Sequence, residues 1–502
     1  MMTAIRVQAW KEFRALTPWW AGMMLTVLTA TVLGMTPRGH GPFPMAAMLA
    51  HVVGCAALGA LAIGQEYSNR TLGQLLAQPI DRRVLLGLKT AVTAILVGLL
   101  FLTSHAAITV SQIFPFYRAQ GGMEIYVYGP AIAGLSLAPL LTMLCRGALA
   151  GAVFSIALPA LGAMLASMYG VDFATAWRVF VGVAVAAFAA TWIVFSRLSV
   201  VDGQAAVEGP SRLFNRPMPD VRDAATPSTT GGWLRSLVGK ELRLQLMTFV
   251  VSGLYLLSWA VFSIARTVDP QSVYTASFVM TGFHGVVIAT LAGALPAAEE
   301  RHLGAAEWQV LLPVSSSRQW MVKSAMAVSV ALTLAIGVPF LLHTIAPAPD
   351  DLSFDWLQVL GVLTLTTGGL YISSMSTTGL RAALSSLPLF AASLLFGAIV
   401  LESISHLARQ LALPAVATLA SWSGISSMSA MHLARTGFVL LAVGLWAVLI
   451  RLGLANYRSA DRSPSPIVRQ LSWLAVYGLA GAMVAGTLNA LVAAVHSAPF
   501  AR

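Results

Sequence analysis

Few residues of this 502-residue chain could do chemistry, and its four lysines are the most informative of them. A nucleotide-binding loop of the Walker A type needs Gly-Lys-Ser/Thr, so that the amine reaches the phosphates and the hydroxyl reaches Mg²⁺. The lysines stand instead in Trp10-Lys11-Glu12, Leu88-Lys89-Thr90, Gly239-Lys240-Glu241 and Val322-Lys323-Ser324. We therefore expect no ATPase site, no catalytic residue and no resident cofactor in this chain.

Metal-ligating residues are equally sparse. Cys55 and Cys145 lack the C-x-x-C spacing of zinc sites, and we interpret both as small buried hydrophobes. Four histidines fall within apolar segments, namely His51, His105, His284 and His343. No two of them share a predicted helix. The sequence therefore predicts no metal site.

The elements that must position these residues are membrane helices. The chain is 57% hydrophobic and 10% charged, far from the balance of a soluble domain. Apolar runs long enough to cross a bilayer as helices recur throughout. We predict an all-α polytopic membrane protein with spans at 18–36, 43–64, 90–111, 129–145, 149–169, 177–196, 246–265, 275–297, 324–345, 356–378, 384–402, 434–452 and 471–495. The leader before the first span lacks a cleavage site, so we expect that span to be retained.

The net charge of +11 sets orientation rather than a partner. If the N-terminus is cytoplasmic and each span changes side, most of the 30 basic residues fall in cytoplasmic segments. This bias is the positive-inside rule, so we expect lipid and no nucleic acid as the partner of these charges. The predicted location is the bacterial cytoplasmic membrane, with the C-terminus outside.

Two stretches of the chain carry the same landmarks. Glu66 is followed by Pro79 thirteen positions on and by Lys89 ten further on, and Glu300 is followed in the same way by Pro313 and Lys323. Lys11-Glu12 and Lys240-Glu241 precede the first span of each stretch. We infer two tandem parallel six-helix repeats plus one extra C-terminal helix. The predicted division is a first half at 1–200, a cytoplasmic linker at 201–236, a second half at 237–456, and a loop with the extra helix at 457–502.

Two kinds of cytoplasmic helix are predicted. Amphipathic segments over 4–17 and about 232–244 should lie along the membrane interface, with Trp10, Lys11, Glu12 and Arg14 in one and Lys240, Glu241 and Arg243 in the other. The alternative is that each is an ordinary basic flank of the next span. A short helix after the second span presents Leu72, Leu75 and Leu76 on one face before Pro79 stops it. That face needs either a partner protein or cover from the membrane or the chain's own helices.

These motifs together resemble the permease subunit of ABC exporters of the type V class. The resemblance rests on the KE-hydrophobic-R element, the glutamate after the second span, the leucine pair, the proline and the downstream lysine, and it covers roughly 1–200 and 236–456. It implies that two coupling segments dock on a cytoplasmic ATPase, two copies per chain, which binds ATP and Mg²⁺. The residues so implicated are Glu66, Tyr67, Thr71, Leu72, Leu75, Leu76, Pro79 and Lys89 in the first half, and Glu300, Leu311, Leu312, Pro313 and Lys323 in the second.

The same resemblance implies export of a lipid-like, drug, antibiotic or polysaccharide substrate, whose identity the sequence does not encode. The second copy departs from the motif at Ala305 and Ala306, where the first has Thr71 and Leu72, so its coupling contact is expected to be unequal. The principal alternative is a gradient-driven carrier with parallel repeats. No acidic residue falls in mid-span and Glu402 comes nearest, which weakens that alternative. A membrane scaffold without transport is the third possibility.

Overall fold

The computed structural model describes residues 2–35, 42–69, 71–77, 80–111, 123–198, 232–265, 270–303, 314–345, 356–390, 427–459 and 464–497. Every regular element within these ranges is a helix. Ten of the helices there are long and apolar enough to cross a membrane, and two shorter apolar ones cover 148–163 and 358–373. The predicted all-helical membrane architecture is confirmed. The linker predicted at 201–236 lies outside the described residues up to 231.

The part of the chain up to residue 198, which we name the N-terminal half, has seven described helices. They are α1 (Met2–Gly34), α2 (Pro42–Ser68), the short α3 (Leu72–Leu76), α4 (Arg82–Ser111), α5 (Met123–Cys145), α6 (Ala148–Met168) and α7 (Phe173–Arg197). The predicted interfacial segment and the first span form one helix, because α1 continues through Pro18. The side chain of Asp172 caps α7 by accepting the Thr175 N–H at 2.9 Å.

The part of the chain over residues 232–459, which we name the C-terminal half, is likewise built of helices in its described ranges. The helices are α8 (Gly232–Leu244), α9 (Leu246–Ala265), α10 (Pro270–His302), α11 (Ser316–Leu332), α12 (Val338–Ile345), α13 (Trp356–Ser373), a helical stretch over 379–390, and α14 (Ser427–Arg458). A π-helical turn at Thr333–Gly337 joins α11 to α12. Here the basic amphipathic helix and the next span are separate elements that meet at Gln245. Only the first part of the predicted span at 384–402 is described.

The closest helix pairs are α2 with α5 and α10 with α13. A Cβ atom on Gly59 would overlap the backbone carbonyl of Gly134, and one on Gly134 would overlap the carbonyl of Cys55. In the C-terminal half a Cβ on Gly293 would overlap the carbonyl of Thr366. Small residues let two backbones approach in this way, which is how membrane helices gain packing energy where water supplies none.

The two halves contact each other in two places, and in each place one helix from either half takes part. Leu380 and Leu384, in the stretch over 379–390, share a buried cluster with Leu16 and Met23 of α1. In turn, α6 contacts α9, and Leu149 of α6 packs on the same buried cluster as residues of α9. The first membrane helix of each half, α1 or α9, therefore contacts the fifth membrane helix of the other half.

The last helix, α15 (Pro464–Ser497), packs along α14. Its Gln470 lies in a polar network where the Oε1 atom accepts from Tyr371 Oη at 3.0 Å and from Asn456 Nδ2 at 3.1 Å. Gln470 Nε2 donates in return to Asn456 Oδ1 at 2.6 Å, and Asn456 also reaches Ser374 Oγ. The helix predicted to be surplus is thus bonded to both α13 and α14.

Replacing Gln470 with Leu should destabilise this attachment. The substitution leaves the buried Tyr371 hydroxyl and the Asn456 amide without their partner, a cost of about 1–3 kcal/mol per unsatisfied group. We expect a lower Tm for the purified protein in detergent. Ser472→Ala is the control, because Ser472 is exposed and its hydroxyl bonds the nearby Arg469 carbonyl of its own helix. Equal Tm values for the two variants would refute the importance of the network.

Candidate functional site

A buried ion cluster joins α1, α2 and α4 at one end of the N-terminal half. The Lys89 ammonium lies 2.6 Å from Glu12 Oε1 and 3.3 Å from Glu66 Oε1, and it also donates to the Ala62 carbonyl at 3.1 Å. The lysine side chain is fully buried, and the two glutamates are 1% and 3% exposed. All three ammonium protons thus have acceptors, as a lysine removed from water requires.

Four more side chains complete this first cluster. Glu12 accepts from Gln8 Nε2 at 2.9 Å and from Gln65 Nε2 at 3.2 Å. Thr71 donates its hydroxyl to Glu66 Oε2, which ties the loop after α2 to the cluster. Lys11, 55% exposed, lies 3.6 Å from Glu66 Oε1 and supplies a second positive charge. The two carboxylates are therefore balanced by two ammonium groups.

The C-terminal half has a second cluster with the same charged groups, two glutamates and two lysines, which joins α8, α10 and α11. Lys323 Nζ lies 2.7 Å from Glu241 Oε1, 3.2 Å from Glu300 Oε2 and 3.1 Å from the Pro296 carbonyl. Lys240, 30% exposed, pairs with Glu300 and lies 3.3 Å from Glu241 Oε1. All four lysines of the chain thus belong to these two clusters.

The two clusters differ in how completely their carboxylates are bonded. Within the described residues Glu241 Oε2 is buried and accepts no hydrogen bond, and the buried Glu300 Oε2 has only its ion pair with Lys323 at 3.2 Å. The neighbouring Gln245, which continues the buried side of α8, instead donates Nε2 to the Ala292 carbonyl at 2.8 Å. That carbonyl lacks its helical donor, because Pro296 stands one turn further on and has no N–H. The N-terminal half has Ala62 and Leu16 in the corresponding places, so it needs no such amide.

The leucine face of the short helix α3 is covered by the chain itself. Leu75 is buried, and Leu72 and Leu76 pack with Tyr67 against a cluster that includes Leu85 and Phe195. Of the two possibilities left open by the sequence, cover by the chain's own helices therefore applies to these leucines. Exposed positions in and around α3 include Gln74, Ala77, Asp81 and Arg83.

Residues next to the second cluster hold the connection between α13 and the helical stretch over 379–390. Glu299 Oε1 accepts the Gly379 N–H at 3.1 Å, at the N-terminal end of that stretch. Arg301 donates to the carbonyls of Ser374 and, at 2.7 Å, Ser376, at the C-terminal end of α13. The acidic group thus meets a helix N-terminus and the basic group a helix C-terminus, in agreement with the helix dipole.

The structure brings together Glu12, Glu66, Thr71 and Lys89, and in the other half Glu241, Glu300, Lys240 and Lys323. Trp10, Arg14 and Arg243 are exposed, and Trp10 stacks on Phe13 with ring centroids 5.9 Å apart. The outward side of the first segment of α1 therefore carries aromatic and basic side chains, while its Gln8 and Glu12 are buried. Pro79, Leu311, Leu312 and Pro313, along with Ala305, Ala306 and Glu402, lie outside the described residues.

Sequence reasoning missed Gln8, Gln65 and Gln245, which are all buried polar residues at the ends of helices. For Gln8 and Gln245 the signal was their spacing of four residues from Glu12 and Glu241, whereas Gln65 stands next to Glu66 and gave no such signal. In the described part of the chain no group of three or more His, Cys, Asp or Glu could hold a metal ion. No protein-family model matches the chain, no curated protein matches it and no solved structure matches it.

Proposed function

We propose that this chain is the transmembrane subunit of an ATP-driven exporter in a bacterial cytoplasmic membrane, energised by two copies of a separate cytoplasmic ATPase. The observation that carries the proposal is the Glu–Lys–Glu cluster built twice. Each cluster fixes the residue that begins the segment between the second and third membrane helices of its half. In the exporters that the sequence resembles, this segment meets the motor.

Matching geometry supports the inference that the halves are parallel repeats. Lys89 and Lys323 each donate to a backbone carbonyl, Ala62 or Pro296, one helical turn before the glutamate of the second span. The tight glycine contacts at Gly59 and Gly293 lie about one further turn back. The reciprocal contacts of α1 and α9 with the fifth helix of the opposite half agree with an approximate two-fold relation. Such a relation would suit two ATPase subunits below one path between the halves.

The clusters would transmit movement of the coupling segment to the membrane helices. Thr71 in the loop is bonded to Glu66, Glu66 is paired with Lys89 at the start of α4, and Lys89 is paired with Glu12 in α1. A displacement of the loop therefore acts on three helices together rather than on one. Hydrolysis of Mg-ATP in the partner would draw the two segments together and open the path outward for an apolar or amphipathic substrate.

The ATPase would meet the polar side of α3 rather than its leucines. Gln74, Ala77, Asp81 and Arg83 are exposed there, whereas Leu75 is buried under the loop. The buried residues Glu66 and Lys89 would then act as positioning residues that hold the docking surface, without touching the motor.

Charge reversal at this surface tests the proposal. We expect the affinity-tagged chain, purified in mild detergent from its own host, to bring down a Walker A protein with ATPase activity. Arg83→Glu should lower the recovery of that protein about tenfold, which corresponds to about 1.4 kcal/mol. Arg197→Glu, at the exposed end of α7 on the same side, is the matched control and should retain it. Absence of any ATPase from the wild-type preparation would contradict the exporter function.

A gradient-driven carrier is the second candidate, and one observation favours it. His284 lies buried in α10, with neither ring nitrogen hydrogen-bonded in the described residues. Ionisable groups inside membrane helices commonly serve proton or ion transport. If dissipating the proton gradient stops transport while loss of the ATPase does not, the carrier replaces the exporter.

A further inference from the structure

The buried side of α8 and α9 is polar along its whole described length from Glu241 to Tyr255. The buried residues succeed one another at alternating spacings of four and three, and they are Glu241, Gln245, Thr248, Ser252 and Tyr255. This is the spacing of a helix seam that faces other helices. At 1.5 Å per residue the seam extends for about 21 Å of a hydrocarbon layer of about 30 Å. Polar groups here are costly and need a reason.

The N-terminal half has no such seam. The residues in the corresponding places of α1 are Glu12, Leu16, Trp19, Met23 and Thr26. Leu16 and Met23 are buried in the apolar cluster of that half, and the Thr26 hydroxyl bonds its own helix at the Gly22 carbonyl. The two halves share the ion cluster but differ in the residues that come after it along the helix, so the polar seam serves something other than the shared architecture.

The first part of the seam is internally bonded. Thr248 donates to Gln245 Oε1 at 2.7 Å, and Gln245 donates to the Ala292 carbonyl. Further along, two buried side chains lack hydrogen bonds to the part of the chain that the structure describes. Ser252 and His284 are each 3% exposed. Ser252 Oγ and both ring nitrogens of His284 have no hydrogen-bond partner among the described residues.

His284 is placed at the far end of this seam. Its ring stacks on Tyr255 with centroids 3.9 Å apart, and the Tyr255 hydroxyl lies 3.1 Å from Thr281 Oγ1, one turn closer to the N-terminal end of α10. Tyr255 is thus a titratable residue whose ring contacts the imidazole of His284. By contrast, the buried His51 of the N-terminal half bonds the Val127 carbonyl through Nε2 at 2.9 Å.

We propose that the Glu241–Tyr255 seam is a water-filled proton path that leads from the second ion cluster to a proton-binding site at His284. Buried polar atoms without protein partners are normally satisfied by bound water. At the cluster end, the buried carboxylate oxygen Glu241 Oε2 accepts no hydrogen bond from the described residues. A proton taken up there passes to water beside Thr248 and Ser252, and then to one nitrogen of neutral His284. The other nitrogen releases its own proton towards Tyr255 and Thr281, so one proton enters for each that leaves.

Hydration of the seam can be measured on the unmodified protein by X-ray hydroxyl-radical footprinting, which labels side chains next to bound water. We expect His284 and Tyr255 to be labelled several-fold faster than His51. His51 is a matched control, since it is the same residue type and is 2% exposed. Labelling of His284 no faster than His51 would overturn the proposal, because a dry seam conducts no protons.

Proton passage is tested with the purified chain in vesicles that enclose a pH-sensitive dye, under a potassium diffusion potential. We expect flux above protein-free vesicles, and its loss to that background in Ser252→Val and in His284→Gln. Thr26→Val removes a buried hydroxyl at the place in α1 that corresponds to Tyr255, outside the seam, and should keep wild-type flux. Gel filtration establishes that each variant is folded. Flux equal to empty vesicles in the wild type, or unchanged flux in both variants, overturns the path. No ATPase is present in this assay, so its outcome is independent of the exporter proposal.

Discussion

Replacing Lys89 by Met should be among the most damaging single changes in this protein. The substitution keeps the length of the side chain but removes the charge that pairs with Glu12 and Glu66, both buried. Loss of one partner from a buried ion pair costs about 3–5 kcal/mol, since the remaining charges stay desolvated. We expect a large fall in Tm and in the yield of monodisperse protein in detergent.

The neighbouring lysine provides the control for this prediction. Lys11 is 55% exposed and its ammonium lies 3.6 Å from Glu66, so Lys11→Met should cost no more than about 1 kcal/mol. The triple variant Lys89→Met, Glu12→Gln, Glu66→Gln removes all the buried charges together and should recover part of the loss. If Lys89→Met and Lys11→Met have the same Tm, the cluster is not a structural unit.

Spacing along the chain is enough to relate the two clusters. Glu66 and Lys89 recur as Glu300 and Lys323 at equal separations, and Lys11 and Lys240 stand directly before Glu12 and Glu241. The architecture of apolar helices also comes directly from composition, because a run of about 20 apolar residues has few other uses. Spacing could not supply the contact between Glu12 and Lys89, which depends on how α1 crosses α4.

Sequence spacing also left open what the leucines after α2 contact, because it does not show how helices pack. Helical periodicity identifies an apolar face at Leu72, Leu75 and Leu76, but it does not say what covers that face. In the structure α3 folds back so that Leu75 lies against α4 and α7. A test of the proposed ATPase contact therefore substitutes Arg83, which is exposed at the start of α4, rather than a leucine.

Gln245 and the polar seam illustrate a further limit. In the sequence Gln245 looks like an ordinary polar residue beside a span. Its role depends on Pro296, far along the chain, which leaves the Ala292 carbonyl without its helical donor. Ser252 and Tyr255 likewise look like scattered polar residues in an apolar helix. Counting at spacings of four and three from Glu241 would have found the seam, but only a helix with known lipid-facing and buried sides reveals that its polar side is the buried one.

Gly59→Ala should be as disruptive as the loss of Lys89, although it adds a single methyl group. The new Cβ would overlap the carbonyl of Gly134, which is backbone and cannot turn aside as a flexible side chain can. Overpacking usually costs about 1–3 kcal/mol, and here we expect about 3 kcal/mol or more because α2 and α5 must separate along their whole contact. Gly293→Ala should act in the same way on α10 and α13.

The matched control is Gly98→Ala, in α4, where a Cβ meets nothing within 4 Å. Alanine forms helices better than glycine by up to about 1 kcal/mol, so this variant should keep or slightly raise the Tm. If Gly59→Ala lowers the Tm while Gly98→Ala keeps or raises it, contact between helices rather than helix propensity governs the stability at these positions. A Gly59→Ala protein as stable as the wild type would mean that α2 and α5 are further apart than described, and the position of Glu66 in the first cluster would then need revision, because α2 carries both residues.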